Sequence, residues 1–387
     1  VWGKNRVAVT LEKARVRLER KLGRAVVGYR SPRLDRSADL AWALDRAGFR
    51  YDSSYPDVDR ENMANFGRGV RLNVPYRPLI DDGDGRVAMI DTGLCTETCI
   101  AALQDGFAAA GKRVQDVSRV LITHGHVDHF GLARYVQDRS GAPVLVHRRD
   151  WNKVLVGETM PPLDKHLERF GVPAGFSPKI AAADAVSAAI APRLDRVEPL
   201  EPGARLSFAR FEASVLPFPG HTPGLVCLLA ERHGVLFSND HLLQRVSPNP
   251  LFEPVEDESG TRHRALVAYL ESVRRLYDMD IGWLLPGHGE PFRDHRATID
   301  GLRRFHERRK TRIESLLEAQ PRTVMELVRE LFGEAEGIQL FLMISEVVGN
   351  LEVLEDEGRV AHDPGRVPHV YEAAPTRPAH CAGLEGP

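Results

Sequence analysis

The pattern of hydrophobic and polar positions divides the chain into parts with different periodicity. Near the N-terminus, LEKARVRLERKLG and SADLAWALDRAGF repeat apolar residues at helical spacing, which predicts two amphipathic helices. From about residue 70 to 295, short apolar runs alternate with turns and helices, as in a mixed α/β domain. Helical periodicity dominates again from about residue 296. We therefore divide the chain into an N-terminal extension (1–68), a central domain (69–295), a helical linker with a small C-terminal domain (296–372) and a disordered tail (373–387).

Within the central domain, the apolar runs RVAMIDTG, SRVLIT, PVLVH and IGWLLPGHG predict strands, and GLVCLLAERHGVLFSND predicts a hairpin. GLARYVQDRSG and RHRALVAYLESVRRL predict helices. The stretch 151–198 has few strand signals and is rich in Ala and Pro. We expect it to cover the functional site as a lid, with its large apolar groups facing a substrate. These groups are Trp151, Met160, Phe170 and Phe176.

Composition limits the choice of partners and of compartment. The 387 residues carry a net charge of -2, which gives no overall attraction to nucleic acid or to an anionic membrane. No uninterrupted apolar run reaches the roughly 18 residues that span a bilayer, and the N-terminal stretch does not look like a secretion signal. The four cysteines form no disulfide framework, and we interpret Cys95 and Cys99 as ordinary thiols rather than a metal pair. We expect a cytoplasmic protein without a membrane partner.

The stretch LITHGHVDHFG concentrates potential metal ligands directly after an apolar run. A histidine-rich surface loop is the simplest explanation, but three later loops, PGHTPG, SND and PGHG, carry matching groups behind apolar runs of their own. Strand ends at one edge of a sheet converge in space, so these loops can build one site. Imidazole and carboxylate are ligands that suit Zn²⁺. The candidate ligands are His124, His126, Asp128, His129, His221, Asp240 and His288.

Seven candidates are too many for one catalytic zinc ion, which usually takes three protein ligands and a water. They divide into a first group of three histidines, a second group of Asp128 with two histidines, and Asp240 as a bridge. Two metal ions about 3.5–4 Å apart can hold a hydroxide that attacks a substrate. We expect two Zn²⁺ ions per chain, with iron or manganese as the alternative at the second position. The first group is His124, His126 and His221, and the second is Asp128, His129 and His288.

These four motifs, HxHxDH, PGHTPG, SND and PGHG, resemble in type and order those of the metallo-β-lactamase superfamily of hydrolases. The resemblance covers roughly residues 70–295 and implies an αββα sandwich with a dinuclear site at its edge. The chain is most similar to the glyoxalase II-like and β-lactamase-like protein 2 branch. Members of that branch carry a C-terminal winged helix, and residues 320–365 resemble it. The resemblance also implies that Asp91, in the stretch IDTG, orients a metal ligand.

The bridging Asp240 also bears on the reaction, because superfamily members that hydrolyse β-lactams generally lack it. The resemblance therefore favours a small thioester, ester or lactone substrate over a β-lactam, with Asp128 orienting the nucleophile or accepting its proton. Metal-dependent cleavage of RNA is the alternative function, because the branch includes ribonucleases. Residues 321–366 hold 4 Lys and Arg against 10 Asp and Glu, which disfavours nucleic acid as a partner. We therefore expect this module to pack or to form a homodimer.

A second resemblance concerns residues 24–60, which are similar to a fragment of the polysaccharide deacetylase (NodB-homology) domain around Arg30 and Pro32. The Asp-Asp pair and the His-x-x-x-His motif that hold the metal in that family are absent from this part of the sequence. Deacetylation cannot be carried by this segment alone, so we expect residues 1–68 to be a helical extension.

Overall fold

The structure is a computed structural model that describes most of the chain beyond residue 78. The predicted N-terminal helices and nearly all of the deacetylase-like segment and of the tail lie outside the described residues. Within 1–78 it describes only two short parallel strands, Gly28–Tyr29 and Tyr51–Asp52. The described residues beyond these are 79–158, 163–172, 176, 188–244, 247–248, 250–256, 260–289 and 291–374.

The first of two five-stranded sheets opens with an antiparallel hairpin and continues in parallel. The hairpin turns at Asp84 and Gly85, which both have positive φ as a tight two-residue turn requires. Parallel neighbours need crossover segments, and two helices supply much of them: α1 (Glu97–Ala109) and, after a short α2 (Val127–Phe130), α3 (Ala133–Ser140). The strands are β1 (Leu79–Gly83), β2 (Arg86–Ile90), β3 (Val117–Ile122), β4 (Val144–Val146) and β5 (Glu198–Pro199).

The second sheet is a run of antiparallel hairpins that ends in one parallel strand. The parallel strand follows helix α6 (Ala265–Tyr277), which crosses the face of the sheet. Two shorter helices come earlier in the chain, α4 (Trp151–Val154) and α5 (Asp164–Arg169). The strands are β6 (Arg205–Ser207), β7 (Glu212–Pro217), β8 (Val226–Ala230), β9 (Val235–Asn239) and β10 (Trp283–Pro286).

Alternating residues of both sheets build three apolar layers. In β2, Ala88 and Ile90 face the second sheet, whereas Val87 and Met89 pack against α1 and α3. In β8, Val226 and Leu228 face the first sheet, and the intervening Cys227 packs towards α6. Because β2 and β8 are apolar on both faces, each sheet is covered on both faces at these strands. The order helix, sheet, sheet, helix is the predicted αββα sandwich.

The C-terminal part consists of helices around a small antiparallel sheet. The long α7 (His295–Ala319) leads from the second sheet into α8 (Val324–Phe332) and α9 (Gly337–Asp356). Thr323 and Glu326 form a capping box that starts α8. Three short strands, β11 (Arg322–Thr323), β12 (Val360–His362) and β13 (Val370–Ala373), pair in the order β11-β13-β12. Helices α7, α8 and α9 account for the helical periodicity of the sequence from about residue 296.

Helix α9 is long and apolar enough to span a membrane by length and composition, with a mean hydropathy of 1.4 over its most apolar window. It is not an uninterrupted apolar run, because Glu346 and Glu352 lie within it. Its window is 67% buried inside the protein, against α6, α7 and α8. At Gly349 the contact with α6 is so close that a Cβ would lie 2.8 Å from the Cβ of Leu266. Burial within the protein therefore accounts for its hydrophobicity.

The insertion 151–198 does not offer Phe170 and Phe176 to a substrate. Both rings are only 7% exposed and belong to the core that α8 and α9 form with α7. The Phe170 ring packs edge-on against Phe252, with centroids 5.3 Å apart. The expectation that these rings face an acyl group is therefore wrong, because the C-terminal helices cover them. Trp151 packs at the edge of the first sheet, and Met160 lies outside the described residues.

Candidate metal centre

All seven predicted ligands lie on loops that directly follow strands of the two sheets. The loop after β3 carries four of them, His124, His126, Asp128 and His129, the last two on the single turn of α2. The other three come from the second sheet, after β7, β9 and β10 respectively. The cluster therefore lies across the edge where the two sheets meet. The three ligands from the second sheet are His221, Asp240 and His288.

The structure brings the seven side chains together in three overlapping groups of three. Within each group, the nitrogen or oxygen atoms that can bind a metal all lie within 4.8 Å of one another. One group joins the loops after β3 and β7, and a second adds the loop after β10. The groups are His124, His126 and His221; Asp128, His129 and His288; and His124, His129 and Asp240.

Asp240 lies between the two sets of histidines. Its Oδ2 is 3.3 Å from His288 Nε2, 3.5 Å from His129 Nε2 and 3.7 Å from His221 Nε2. Its other oxygen, Oδ1, accepts no hydrogen bond within the described part of the chain. Asp240 also follows Asn239, a non-glycine residue with φ of 44°. Such left-handed backbone costs about 1–3 kcal/mol and is typical of functional sites.

Asp91, at the end of β2, orients His129 as the IDTG motif suggested. Its Oδ2 lies 2.8 Å from His129 Nδ1, and it accepts hydrogen bonds from the backbone and hydroxyl of Thr123. Asp91 is fully buried and has φ of 56°. With Nδ1 engaged in this way, Nε2 of His129 faces Asp128 and Asp240. A carboxylate behind a histidine commonly fixes a metal ligand in this way.

Sequence reasoning missed a second buried acid, Asp150. It ends a short 3₁₀ turn, Arg148–Asp150, that follows β4, so a carboxylate at a neighbouring strand end was the available signal. Lys153 lies 3.0 Å from its Oδ1 and 2.8 Å from Glu253 Oε1. Burial alone would raise the pKa of Asp150, but Lys153 and hydrogen bonds from Thr222 and Gly125 outweigh it and hold the pKa at about 2. Asp150 is therefore ionised at neutral pH.

The histidines differ in charge without a metal. Burial and the neighbouring histidines lower the pKa of His124 and of His126 well below the usual range, so both are neutral and keep a lone pair for a metal. Burial would also lower the pKa of His288, but the carboxylates of Asp240 and Asp128 raise it to about 10. His288 is thus protonated at neutral pH between two carboxylates, and a metal ion would replace that proton.

Two neighbours complete the walls of the cluster. His241, which directly follows Asp240, is fully buried and its ring stacks on Phe218 with centroids 4.6 Å apart. Gly287 passes so close that a Cβ there would lie 2.2 Å from Asp240 Oδ1 and 2.9 Å from His129 Cε1. The PGHG loop therefore needs glycine at this position.

Comparison with known proteins places the chain in a family. Residues 79–288, which include all seven clustered side chains, match the metallo-beta-lactamase superfamily. The chain belongs to this superfamily. It is therefore a hydrolase of the metallo-beta-lactamase fold, as the motif order implied.

Relatives of this metallo-beta-lactamase superfamily protein support the assignment. The probable metallo-hydrolase YqjP of Bacillus subtilis is 30% identical over 70% of this chain and 85% of its own. Hydroxyacylglutathione hydrolase GloC of Haemophilus influenzae is 27% identical over 43% of this chain and 66% of its own. A crystal structure of a metallo-beta-lactamase family protein from Thermus thermophilus is 28% identical, with a TM-score of 0.62 over 77% of this chain and 98% of that one.

The donor set fits divalent metal ions. It consists of five imidazoles and two carboxylates, all of them buried or nearly so. Imidazole nitrogen and carboxylate oxygen are the ligands that zinc, iron and manganese use in proteins. Neither thiol of Cys95 and Cys99 belongs to any candidate metal cluster among the described residues.

Proposed function

We propose that this superfamily member holds two divalent metal ions, zinc in the first instance, and hydrolyses small thioesters, esters or lactones. The observation that carries the proposal is the position of Asp240, whose Oδ2 lies within 3.7 Å of His221, His129 and His288. A carboxylate between two groups of histidines is suited to bridging two cations. A single zinc ion would leave several of these buried groups without a purpose.

The first ion would be held by His124, His126 and His221 and the second by Asp128, His129 and His288, with Asp240 shared. This division is supported by the overlap of the three groups at His124 and His129. Iron or manganese at the second position is the alternative, because carboxylate and imidazole together also suit these metals.

Metal ions bound there supply a Lewis acid for a substrate carbonyl and lower the pKa of water towards 7. The chain's own residues do the positioning and the proton transfer. Asp128 Oδ2 lies 3.1 Å from His288 Nε2 and 3.3 Å from His129 Nε2, which holds its carboxylate at the centre of the cluster. We propose that it orients the attacking water and accepts its proton. Asp91 prevents His129 from rotating, through the 2.8 Å contact with Nδ1.

Two observations support an acyl substrate. The first is the presence of Asp240, because related β-lactam hydrolases generally lack the bridging aspartate. One relative, GloC, is named for hydrolysis of hydroxyacylglutathione, which is a thioester. Among the acyl compounds we therefore place thioesters first.

The C-terminal elements fit a winged-helix-like module of packing or dimerisation function: α8, α9 and three short strands. The excess of acidic over basic residues in 321–366 argues against an RNA-binding surface. RNA cleavage is accordingly the second candidate function. A cytoplasmic location remains a prediction.

Metal analysis followed by a substrate panel tests the proposal. Protein purified without chelator should contain two metal ions per chain by elemental analysis, and its activity should be lost with a chelator and restored by Zn²⁺. The panel should contain an S-acylglutathione, a phenyl ester, a lactone, a cephalosporin and a single-stranded RNA. The matched control, Asp195→Asn, removes an exposed carboxylate that pairs only with Arg134 among the described residues and should change nothing. Metal-free protein after metal-replete expression, or RNA cleavage much faster than any acyl hydrolysis, would refute the proposal.

A further inference from the structure

Asp150 occupies a position between the two loops that supply the first group of candidate ligands. One is the loop of His124 and His126, and the other is the loop of His221. Asp150 itself is fully buried and belongs to none of the three groups of candidate ligands. Its role therefore has to be found in the groups that it binds.

The two oxygens of Asp150 accept four hydrogen bonds, two each. Oδ2 accepts from the backbone N–H of Gly125 at 2.7 Å and from the hydroxyl of Thr222 at 2.7 Å. Oδ1 accepts from the backbone N–H of Gly224 at 3.0 Å and from the ammonium of Lys153 at 3.0 Å. Gly125 lies between His124 and His126, and Thr222 follows His221. One carboxylate therefore ties both loops together.

The two glycines give independent support, since each is shaped to Asp150. A Cβ on Gly224 would lie 2.8 Å from Asp150 Cγ, and a Cβ on Gly125 would lie 3.2 Å from Asp150 Cβ and 2.7 Å from Lys153 Cδ. A side chain at either position would push its loop away from the carboxylate. Both loops thus carry glycine where their backbone N–H meets Asp150.

The charge of Asp150 is balanced by a buried chain of groups. Lys153 lies between Asp150 and Glu253, and its side chain is only 12% exposed. Breaking such a buried pair leaves an uncompensated charge. Lys153 therefore keeps Asp150 in place as an anion, which can accept four hydrogen bonds where a neutral amide cannot.

We propose that Asp150 is a positioning residue that sets the distance between the His124–His126 loop and the His221 loop. The inference rests on the proposed metal centre, since these loops would hold the first metal ion. It goes further because it makes a residue outside the ligand set responsible for the metal affinity of one of the two positions. The second group, Asp128, His129 and His288, has its own support in Asp91.

Asp150→Asn is the sharpest perturbation, because it keeps the shape and changes one oxygen to an NH₂. Whichever way the amide turns, its NH₂ faces two donors, Gly125 and Thr222 or Gly224 and Lys153. One loop therefore loses its backbone hydrogen bond in either orientation. We expect affinity for Zn²⁺ at the first position to fall about 10–100-fold, the usual effect of losing a group that supports metal ligands. The second position should change much less.

Zinc affinity is measured by chelator competition on the purified full chain, and the geometry of the first position by the visible absorption spectrum of Co²⁺-substituted protein. The matched control is Asp82→Asn, which removes a mostly buried carboxylate that pairs with Arg119 and Ser118 at the far end of β3 from His124. The control should keep both affinities and the parental Co²⁺ spectrum. If Asp150→Asn does not fold, Thr222→Val removes one hydrogen bond to Asp150 and should still lower the first affinity several-fold.

The inference is overturned if Asp150→Asn keeps the parental Zn²⁺ affinities and the parental Co²⁺ spectrum. If Asp150→Asn does not fold, the same result in Thr222→Val overturns it. So does a lower melting temperature of the metal-free protein with unchanged metal affinity, because that pattern indicates a structural role alone. A parent protein that binds two metal ions, with a variant that binds both with the parental affinities, refutes only the positioning role. A parent protein that binds none refutes the metal centre as well. The two failures are thereby distinguished.

Discussion

Gly287→Ala is the variant that tests the geometry of the cluster most directly. The added methyl carbon would lie 2.2 Å from Asp240 Oδ1 and 3.4 Å from Asp240 Cγ. Carbon and oxygen normally approach to a little over 3 Å, so the carboxylate must move by about 1 Å or the loop must move away. Metal–ligand distances tolerate only about 0.2 Å. The substitution should therefore displace a bridging carboxylate while leaving every candidate ligand residue unsubstituted.

The expected magnitude follows from this displacement. A misplacement of about 1 Å can lower turnover roughly 100-fold, and overpacking costs about 1–3 kcal/mol of folding free energy. We expect Gly287→Ala to lower kcat by about two orders of magnitude and the metal content below two per chain. Because only one methyl group is added, the loss of unfolding free energy should stay within that overpacking range.

Elemental analysis measures the metal content, and steady-state kinetics on an S-acylglutathione measure kcat. Urea unfolding after chelator treatment measures the free energy of unfolding. The matched control is Gly106→Ala in α1, where a Cβ meets no atom within 4 Å. It should keep metal content and kcat and gain up to about 1 kcal/mol from the better helix propensity of alanine. Parental metal content and kcat in Gly287→Ala would refute the placement of Asp240 beside the PGHG loop.

Three further predictions concern single positions, and a fourth concerns the N-terminal extension. Asp240→Ala should lose the metal pair and turnover while circular dichroism keeps the parental signal; unchanged turnover would exclude the bridging role. Burial and neighbouring cationic side chains lower the pKa of His306 to about 4. Because an unfolded histidine titrates near 6.5, His306 should contribute about 3 kcal/mol to the stability that the metal-free protein loses as the pH falls from about 6.5 to 4, and His306→Leu should lose about that much less in urea unfolding. Phe170→Ala should cost about 3 kcal/mol in thermal or urea unfolding, since the ring is buried in the core; an unchanged stability with a raised KM would restore the lid interpretation. Removing residues 1–68 should leave metal content and acyl hydrolysis intact, because every clustered side chain lies beyond them; loss of soluble, metal-loaded protein would contradict it.

The cluster could be predicted from the sequence because its parts have local signatures. Each ligand stands a few residues behind an apolar run, and strand ends at one edge of a sheet meet in space. The helical periodicity of α6, α7 and α9 likewise identified long helices. The hairpin of β1 and β2 was missed although its Asp84-Gly85 turn carries a recognised signal.

Features that depend on distant packing could not be predicted in this way. Asp150 binds backbone N–H groups of two loops remote in sequence, and such donors have no residue signature. Phe170 and Phe176 have the same hydrophobicity whether they face a substrate or a core. Only the arrangement of α8 and α9 decides between the two. The same reason explains why the hydrophobic α9 resembles a membrane span in composition alone.

The division of the ligand set between the two sheets has a consequence for the lifetime of the protein in the cell. Four of the seven side chains follow a strand of the first sheet and three follow strands of the second. Bound metal ions would therefore link the two sheets at one edge of the sandwich. A ligand present at 100 times its Kd adds about 2.7 kcal/mol to the free energy of unfolding. When metal is scarce, that increment disappears, the edge opens more often, and proteases reach the chain sooner. We therefore expect the abundance of this hydrolase, and not only its activity, to follow the metal supply.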